Sequence, residues 1–368
     1  MKWIEEGVRK FGYFIFRMIL RNKEVQLPLD ASKIKKILIL RYDVLGDMIV
    51  TTPVFNLLKD KIPNVEIHVV ASKRNVGLLA HDSRVSKVIC YYNTFVSLLK
   101  VRREARRENY DFILPLVFYK TTKAGLWANW VGKKKSIKIG WVNPWRSNFY
   151  RHLFNVQIPS NPTEKFTMTM SEIQVNLLCT SFGWEYSKDL VKLGIHLSSE
   201  NEEFADKYFS EFSSNCKVIV NISARENRTM PEENLVQLVQ SMIEEFPNIQ
   251  LFINAVQQDF EKAIRIASIS KEKVHLLPFS SDVLNLCSLI KKADAVITPD
   301  TAIVHIAAAF NVPLVAMFPN SERICTEWGP QHDKAIIVVP DGEKLVSEIE
   351  PFEIIKAFSN LSRKFNLT

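Results

Sequence analysis

Two short segments of the chain combine acidic, hydroxyl and imidazole side chains with small residues, as ligand binding and proton transfer require. The first, TPDTAIVHIAAAF (298–310), follows an apolar run and continues as an alanine-rich helix. Asp300 or Thr301 can cap this helix, whose first-turn N–H groups then offer partial positive charge to a phosphate. His305 could donate from one turn further on, and Ala302 would let backbone approach a ligand closely. A purely structural interpretation, with a capping Asp300 and an interior His305, explains these residues at least as well.

The second segment is RYDVLGD (41–47), directly after the apolar run KILIL. Asp47 follows Gly46 at the start of a predicted helix. It could cap that helix, or it could act as a general base that accepts a proton from a sugar hydroxyl. Asp43 lies four residues earlier and competes for either role, so spacing alone does not choose between the two carboxylates.

Alternating strand and helix patterns surround both segments. In the first half, apolar runs predict strands at 36–40, 65–71, 85–92 and 111–117, with a charged helix near 95–108. In the second half, they predict strands at 217–223, 249–255, 274–279, 295–298 and 313–318. This alternation is typical of parallel sheets covered by helices. We therefore predict an α/β protein with two Rossmann-like, doubly wound domains.

The predicted domains are an N-terminal amphipathic helix and linker (1–33), a first Rossmann-like domain (34–195), a hinge (196–215) and a second Rossmann-like domain with a C-terminal helix (216–368). The hinge is placed where the sequence is polar and poorly periodic. Since α/β domains bind ligands at the carboxyl ends of their strands, we expect the turns at 45–47 and 298–301 to face one cleft.

The first twenty residues have apolar side chains at helical spacing and basic side chains on the rest of the wheel. The longest uncharged run, 11–16, is too short to span a membrane, and Glu5 and Glu6 argue against a signal peptide. This helix could lie on an anionic membrane surface, or it could pack on the protein itself.

Composition excludes several classes of function. The 368 residues carry a net charge of +8, and the five cysteines are scattered without a C-x-x-C pair. There is no P-loop, no G-x-G-x-x-G, no G-x-S-x-G and no H-E-x-x-H motif. The basic run VRREARRE (101–108) alternates in charge as a solvated helix does, and no stacking aromatic motif accompanies it. A non-catalytic nucleotide- or nucleic-acid-binding protein is therefore a minor alternative.

Taken together, the two segments resemble glycosyltransferase family 9, the ADP-heptose:lipopolysaccharide heptosyltransferases. The family pattern of a strand, (L/I)GD(V/M) and T-x-P is similar to KILILRYDVLGDMIVTTP here, and its (D/N)DT-x-x-x-H-x-A-A-A segment is similar to TPDTAIVHIAAAF. The resemblance runs from about residue 36 to residue 340. It implies a GT-B fold and an inverting, metal-independent transfer of heptose from ADP-L-glycero-β-D-manno-heptose to the lipopolysaccharide core, without a cofactor.

The resemblance also implies roles for individual residues. Asp47 corresponds to the base that deprotonates the acceptor hydroxyl. The residues that correspond to the ADP and diphosphate site are Asp300, Thr301, Ala302 and His305. An inverting displacement needs one base, and without a metal the leaving diphosphate needs positive charge and aligned N–H donors.

The chain departs from the family where the nucleotide sugar is held. In place of a K-R-W-P segment it has SARENRTMPEEN, in which Arg228 is the expected substitute for the lysine and Arg225 the second choice. In place of a glycine-rich segment it has NAVQQDFEKA, in which Asp259 is the candidate acid near the ribose. A family 9 transferase that uses another nucleotide sugar is therefore the main alternative.

Basic and aromatic residues of the first domain are candidates for the acceptor side. Lys73, Arg74, Lys120 and Lys123 could meet the phosphates and Kdo carboxylates of a lipopolysaccharide core, although for each one taken alone a solvated surface charge is the favoured interpretation. The tryptophans among them, at most one or two of which are expected to contact a sugar, are Trp127, Trp130, Trp141 and Trp145. The expected partners are a nucleotide-sugar donor and this acceptor, not nucleic acid. The protein is expected in the cytoplasm, where it could also bind peripherally to the cytoplasmic face of the inner membrane.

Overall fold

The computed structural model describes residues 12, 14, 18–20, 22–142, 150–159, 167–212, 216–225, 228–342 and 345–367. The chain divides into two compact units, the first ending at Lys192 and the second beginning at Leu193. The short segment 167–170 groups with the second unit. Both units are built on a six-stranded parallel sheet, as the alternation of strands and helices predicts.

The first unit contains strands β1 to β6 and helices α1 to α5. Its strands are β1 (Lys36–Arg41), β2 (Glu66–Ser72), β3 (Lys87–Tyr91), β4 (Phe112–Pro115), β5 (Ile137–Val142) and β6 (Val156–Pro159). Its helices are α1 (Leu45–Ile49), α2 (Thr52–Lys61), α3 (Phe95–Arg107), α4 (Thr121–Val131) and α5 (Met170–Phe182). The sheet order is β3-β2-β1-β4-β5-β6.

The second unit repeats this arrangement. Its strands are β7 (Cys216–Asn221), β8 (Ile249–Asn254), β9 (Val274–Leu276), β10 (Ala295–Pro299), β11 (Leu314–Met317) and β12 (Ala335–Val338). Its helices are α6 (Ser199–Phe209), α7 (Glu232–Glu245), α8 (Phe260–Ala267), α9 (Val283–Lys292), α10 (Ala302–Ala309), α11 (Glu322–Trp328) and α12 (Pro351–Phe365). The sheet order is β12-β11-β10-β7-β8-β9, which is the order of the first sheet read from the other end.

The central strands of both sheets are uninterrupted apolar runs because helices cover both faces. In β1, residues 37–40 are fully buried, and β1 lies between β2 and β4. In the second sheet, β7 lies between β8 and β10. The direction of the connections reverses between β1 and β4, and again between β7 and β10. Such reversal points at the carboxyl ends of strands are where α/β sheets bind ligands.

Much of the range predicted as a hinge is helical. Ser198 caps α6 by accepting a hydrogen bond from the Asn201 N–H at 3.3 Å. The ring of Phe209 meets that of Phe252 edge-on, with centroids 5.0 Å apart, so this helix packs on the second sheet. The sequence looks poorly periodic here because α6 buries few apolar residues. A hinge function for the segment stays a prediction.

Most of the predicted N-terminal amphipathic helix lies outside the described residues and also stays a prediction. The described residues Met18 and Ile19 are helical and 59% and 69% exposed. Among the helices that the structure describes, none is both long and apolar enough to cross a membrane.

Candidate functional site

Arg41, the last residue of β1, organises the acidic turn that follows it. Its side chain is buried, with 2% exposure. Nε donates to the Asp47 carbonyl oxygen at 2.7 Å, and Nη2 donates to Asp47 Oδ1 at 3.0 Å. Nη1 donates to Asp43 Oδ2 at 3.1 Å and to the carbonyl oxygen of Leu116, directly after β4. One buried guanidinium thus fixes both of the carboxylates between which the sequence cannot choose.

The Asp43 carboxyl is partly withdrawn from water, although its side chain keeps 23% exposure. Burial raises its pKa to about 6; the charge of Arg41 opposes this rise, and the charge of Asp47 adds to it. Its Oδ1 atom is buried and has no hydrogen-bond partner among the described residues. Asp43 therefore titrates close to neutral pH.

Asp47 lies in the first turn of α1, where its carbonyl oxygen accepts two hydrogen bonds. Thr51 Oγ1 donates to this oxygen at 2.8 Å, in addition to the bond from Arg41 Nε. Its Oδ2 accepts from the Val44 N–H at 3.4 Å, a long and weak contact. The side chain keeps 15% exposure. A carboxylate that is fixed through one oxygen and weakly engaged at the other suits a proton acceptor.

The loop after β2 supports the same turn. Asn75 is fully buried, and its Nδ2 donates to the Arg41 carbonyl oxygen at 3.0 Å. Its Oδ1 accepts from the Ser72 N–H at 2.8 Å, and Ser72 Oγ donates to the Asp43 carbonyl oxygen at 2.7 Å. The turn is therefore held by two neighbouring strands as well as by Arg41.

The four basic residues predicted for the acceptor all lie in exposed positions at this edge of the sheet. Lys73 and Arg74 follow β2 directly. Lys120 precedes α4 and is close enough to lower the pKa of Asp43, and Lys123 Nζ lies 5.9 Å from the centroid of the Tyr42 ring. The structure thus brings these cations near the acidic turn, while contact with an acceptor stays a prediction.

The tryptophans differ in how exposed their rings are, and therefore in whether a sugar can stack on them. Trp127 is 7% exposed and stacks on Tyr42 with centroids 4.4 Å apart, so it fills the core. Trp130 is 40% exposed. Trp141 contacts Phe118 with centroids 4.7 Å apart, and Trp145 lies outside the described residues.

In the second unit, Asn221 connects the ends of three strands. It ends β7 and is 3% exposed. Its Nδ2 donates to Thr298 Oγ1 in β10 and to the Ser223 carbonyl oxygen, both at 3.0 Å. Its Oδ1 accepts from Asn254 Nδ2, at the end of β8, at 2.9 Å. One amide therefore sets the geometry of the loops at this carboxyl edge.

Of the two predicted caps of α10, Thr301 is the one that caps. Its Oγ1 accepts from the Ile303 N–H at 3.3 Å. Asp300 is instead ion-paired with Arg228, whose Nη1 also donates to the Asp300 carbonyl oxygen at 3.1 Å. Burial raises the pKa of Asp300, whereas the nearby Arg228 and Arg225 lower it. The expected Arg228 is thus brought to the start of α10.

His305 lies within α10 and is 2% exposed. Burial lowers its pKa to about 4, so the ring is neutral at physiological pH. Its Nδ1 atom has no hydrogen-bond partner among the residues described. A neutral imidazole can offer a hydrogen bond but no positive charge. Ala302, in the first turn of the helix, is partly exposed.

Asp259 also lies at this edge, in the loop after β8. Ser223 Oγ donates to Asp259 Oδ2 at 2.5 Å and accepts from the Val256 N–H at 3.0 Å. Lys262 Nζ lies 3.8 Å from Asp259 Oδ1. The carboxylate is thereby linked to the loop after β7.

In the parts of the chain that the structure describes, no group of three or more His, Cys, Asp or Glu residues is arranged to hold a metal ion. The metal-independent reaction expected from the sequence stays a prediction.

The chain matches the model of one protein family over most of its length. The family model described as glycosyltransferase family 9 (heptosyltransferase) matches residues 98–349, well over half of the chain. The chain belongs to glycosyltransferase family 9. This family 9 protein is therefore a glycosyltransferase, as the two sequence segments predict. The match includes the turn before α10, whereas the turn at 45–47 precedes it.

Several known proteins are similar to this family 9 chain over nearly all of its length. Lipopolysaccharide heptosyltransferase 1 of Campylobacter coli is 22% identical over 353 residues, which cover 89% of this chain and 98% of that protein. The glycosyl transferase family 9 structure from Veillonella parvula has a TM-score of 0.75 at 17% identity and covers 92% of this chain and 99% of its own. E. coli ADP-heptose LPS heptosyltransferase II has a TM-score of 0.71 at 21% identity, with coverages of 89% and 99%. These similarities confirm the GT-B fold.

Sequence reasoning missed the residues that position the candidate site in this family 9 protein. Arg41, Asn75, Asn221 and Ser223 hold the acidic turn and the loops of the second unit. A signal was present, because each is a polar residue at or just beyond the carboxyl end of a buried strand. Such residues must find partners when they are buried.

Proposed function

We propose that this protein transfers a heptose from ADP-L-glycero-β-D-manno-heptose to the lipopolysaccharide core, in an inverting reaction without a metal. The names of the relatives from Campylobacter coli and E. coli, both lipopolysaccharide heptosyltransferases, support this substrate class. The observation that carries the proposal is the acidic turn after β1, in which Arg41 orients Asp47 and leaves Oδ2 weakly engaged.

Asp47 is the proposed general base. Its carboxylate accepts the proton of the acceptor hydroxyl while that oxygen forms a bond to the anomeric carbon of the heptose. The bond from the anomeric carbon to the ADP oxygen breaks, and ADP leaves with the electron pair. Arg41 keeps the carboxylate in place as its charge changes, and the exposed cations Lys73, Arg74 and Lys120 draw in the acidic groups of the acceptor.

The second unit is the proposed site of the nucleotide sugar. The start of α10 faces the diphosphate with the Ala302 N–H and the positive end of the helix dipole, and Arg228 adds positive charge beside it. Thr301 fixes the helix start, and neutral His305 offers a hydrogen bond without a charge. Asp259 accepts from the ribose hydroxyls.

Asp47→Asn tests the base. The amide keeps the size of the side chain and can still accept from Arg41, but it cannot take a proton. We expect kcat to fall by about 10²–10⁴, with ADP affinity unchanged by calorimetry. Asp60→Asn is the matched control, because Asp60 is 70% exposed in the same unit. ADP release from ADP-heptose with a heptose-deficient core acceptor gives the rate, and NMR of the product gives the anomeric configuration. Turnover near the wild-type rate would rule out Asp47 as the base.

A second candidate is a family 9 transferase with another nucleotide sugar. The chain has Arg228 in place of the family lysine, and this guanidinium is ion-paired with Asp300, which reduces the charge available to a diphosphate. A screen of nucleotide sugars under identical conditions separates the candidates. Turnover of another donor with none of ADP-heptose would replace the first proposal.

A further inference from the structure

Apolar side chains at the start of α3 are largely exposed. Phe95 and Val96, in the first turn, are 72% and 77% exposed. Tyr92, just before the helix, is 54% exposed and Leu99 is 41% exposed. We call these four residues the apolar patch. The face that packs α3 on the sheet is a different one, since it contains Val101, which is fully buried.

Basic residues continue the exposed side of α3 beyond the apolar patch. Residues 95–107 contain five basic residues and one acidic residue. Lys100, Arg103 and Arg107 follow Val96 at helical spacing, and all three are exposed. The outer face of the helix is therefore apolar in its first turns and cationic in its later ones.

Trp130 of the neighbouring helix α4 extends this face. Its side chain is 40% exposed. The Arg102 guanidinium lies 4.4 Å from the centroid of its ring, and Arg106 Nε donates to its carbonyl oxygen at 3.2 Å. A partly exposed tryptophan beside arginines is typical of protein surfaces at a membrane–water interface.

The apolar patch lies on the same edge of the first sheet as the acidic turn. Strands β3, β2 and β1 are parallel neighbours, so their carboxyl ends share one edge. Tyr92 directly follows β3, as the turn that carries Asp47 follows β1. A surface that binds the apolar patch would therefore lie along the edge that holds the proposed base.

We propose that this face of α3, with the apolar patch and its cationic continuation, docks the protein on an anionic lipid bilayer. The apolar side chains enter the interfacial layer, while Lys100, Arg103 and Arg107 meet anionic headgroups. Charge complementarity favours this occupant over a second copy of the chain, because two identical cationic faces repel each other. The inference does not depend on the proposed reaction, since vesicle binding is measured without donor or acceptor.

Vesicle sedimentation of the full chain tests the proposal. Vesicles of phosphatidylcholine alone are compared with vesicles of phosphatidylcholine and phosphatidylglycerol, at low and high salt. We expect binding to the anionic vesicles that weakens with salt. Phe95→Ser/Val96→Ser should reduce the partition coefficient about tenfold or more. Arg103→Glu/Arg107→Glu should reduce it by a similar factor and flatten the salt dependence. Phe352→Ser is the matched control, because Phe352 is 63% exposed on α12 of the second unit.

Two results of the vesicle experiment would overturn the proposal. One is a wild-type protein that does not bind anionic vesicles, and the other is a Phe95→Ser/Val96→Ser variant that binds as tightly as the Phe352→Ser control. Circular dichroism establishes that each variant is folded, which is expected because the substituted side chains are exposed. Light scattering provides an independent readout: an oligomer that dissociates in the double variant would assign the apolar patch to self-association instead.

Discussion

Arg41 shows how one buried residue can give two nearby carboxylates different properties. Asp43 and Asp47 are both ion-paired with it, at 3.1 and 3.0 Å. Asp43 has a buried Oδ1 that has no partner in the described part of the chain, and burial raises its pKa, whereas Asp47 Oδ2 keeps only a long contact to a backbone N–H there. The sequence predicts both as candidates but cannot separate them. The two carboxylates differ because the side chain of Arg41 is buried where it can bind both of them. This burial depends on the packing of β1 between β2 and β4, which the sequence alone does not show.

Asp43→Asn tests the raised pKa of Asp43. The native pKa of about 6 lies above the usual value of 3.8, so the native state binds this proton more tightly than the unfolded state does. The stability that this proton confers is present below about pH 4 and is lost as the pH rises through 6. The melting temperature of the wild type should therefore fall relative to that of the variant between pH 4.5 and 7.5, by a few degrees (~2–4 °C for each kcal/mol). A difference between the two proteins that is independent of pH would contradict the assignment.

At the scale of elements, the start of α10 depends on a shared hydroxyl network. Thr301 Oγ1 accepts from the Ile303 N–H, lies 3.2 Å from Thr298 Oγ1, and is 3.4 Å from Asn221 Nδ2. This network links the cap of α10 to β7 and β10. Thr301 therefore satisfies two N–H groups of the first turn, that of Ile303 through its hydroxyl and that of Val304 through its carbonyl oxygen.

Thr301→Ala removes the cap and its links to the two strands. We expect a loss of about 1 kcal/mol of stability, which corresponds to a melting temperature lower by roughly 2–4 °C. Thr301→Ser keeps the hydroxyl and is the control, with a melting temperature close to that of the wild type. The two can be compared by differential scanning calorimetry. An alanine variant as stable as the serine variant would show that the hydroxyl does not stabilise the helix.

The regular elements were predictable where burial is continuous. The apolar runs predict β1, β2, β3 and β4 to within a few residues, and the charged helix near 95–108 is α3. Neither β5 nor β6 was predicted. In β5 a lysine, Lys138, is buried with 1% exposure and donates to backbone oxygens, and Gly140 leaves room for the ring of Phe154 where a side chain would overlap it. Both features depend on the tertiary structure and break the apolar pattern of the strand.

For the whole molecule, the scattered cysteines predict a chain without disulfides, and all five are free in the structure. Cys179, Cys216 and Cys287 are buried, and burial raises the pKa of Cys216 to about 12. Since the thiolate is the reactive form, an aromatic disulfide reagent at pH 8 should react most quickly with Cys90 and more slowly with the partly buried Cys325, because burial also raises the pKa of Cys325. All five should react in denaturant, as absorbance of the released thiol will show. Five fast thiols in the native protein would contradict the burial of the other three.

The matching strand order of the two sheets has a consequence for synthesis on the ribosome. Among the residues that the structure describes, the first sheet ends with β6 and takes no strand from the second unit. Residues 193–368 take roughly 10–35 s to synthesise at the usual translation rate. During that time the first unit can already fold, because all six strands of its sheet, β1 to β6, have been synthesised. The exposed side of α3 would then be on the nascent chain, and the proposed attachment to lipid would precede completion of the second unit.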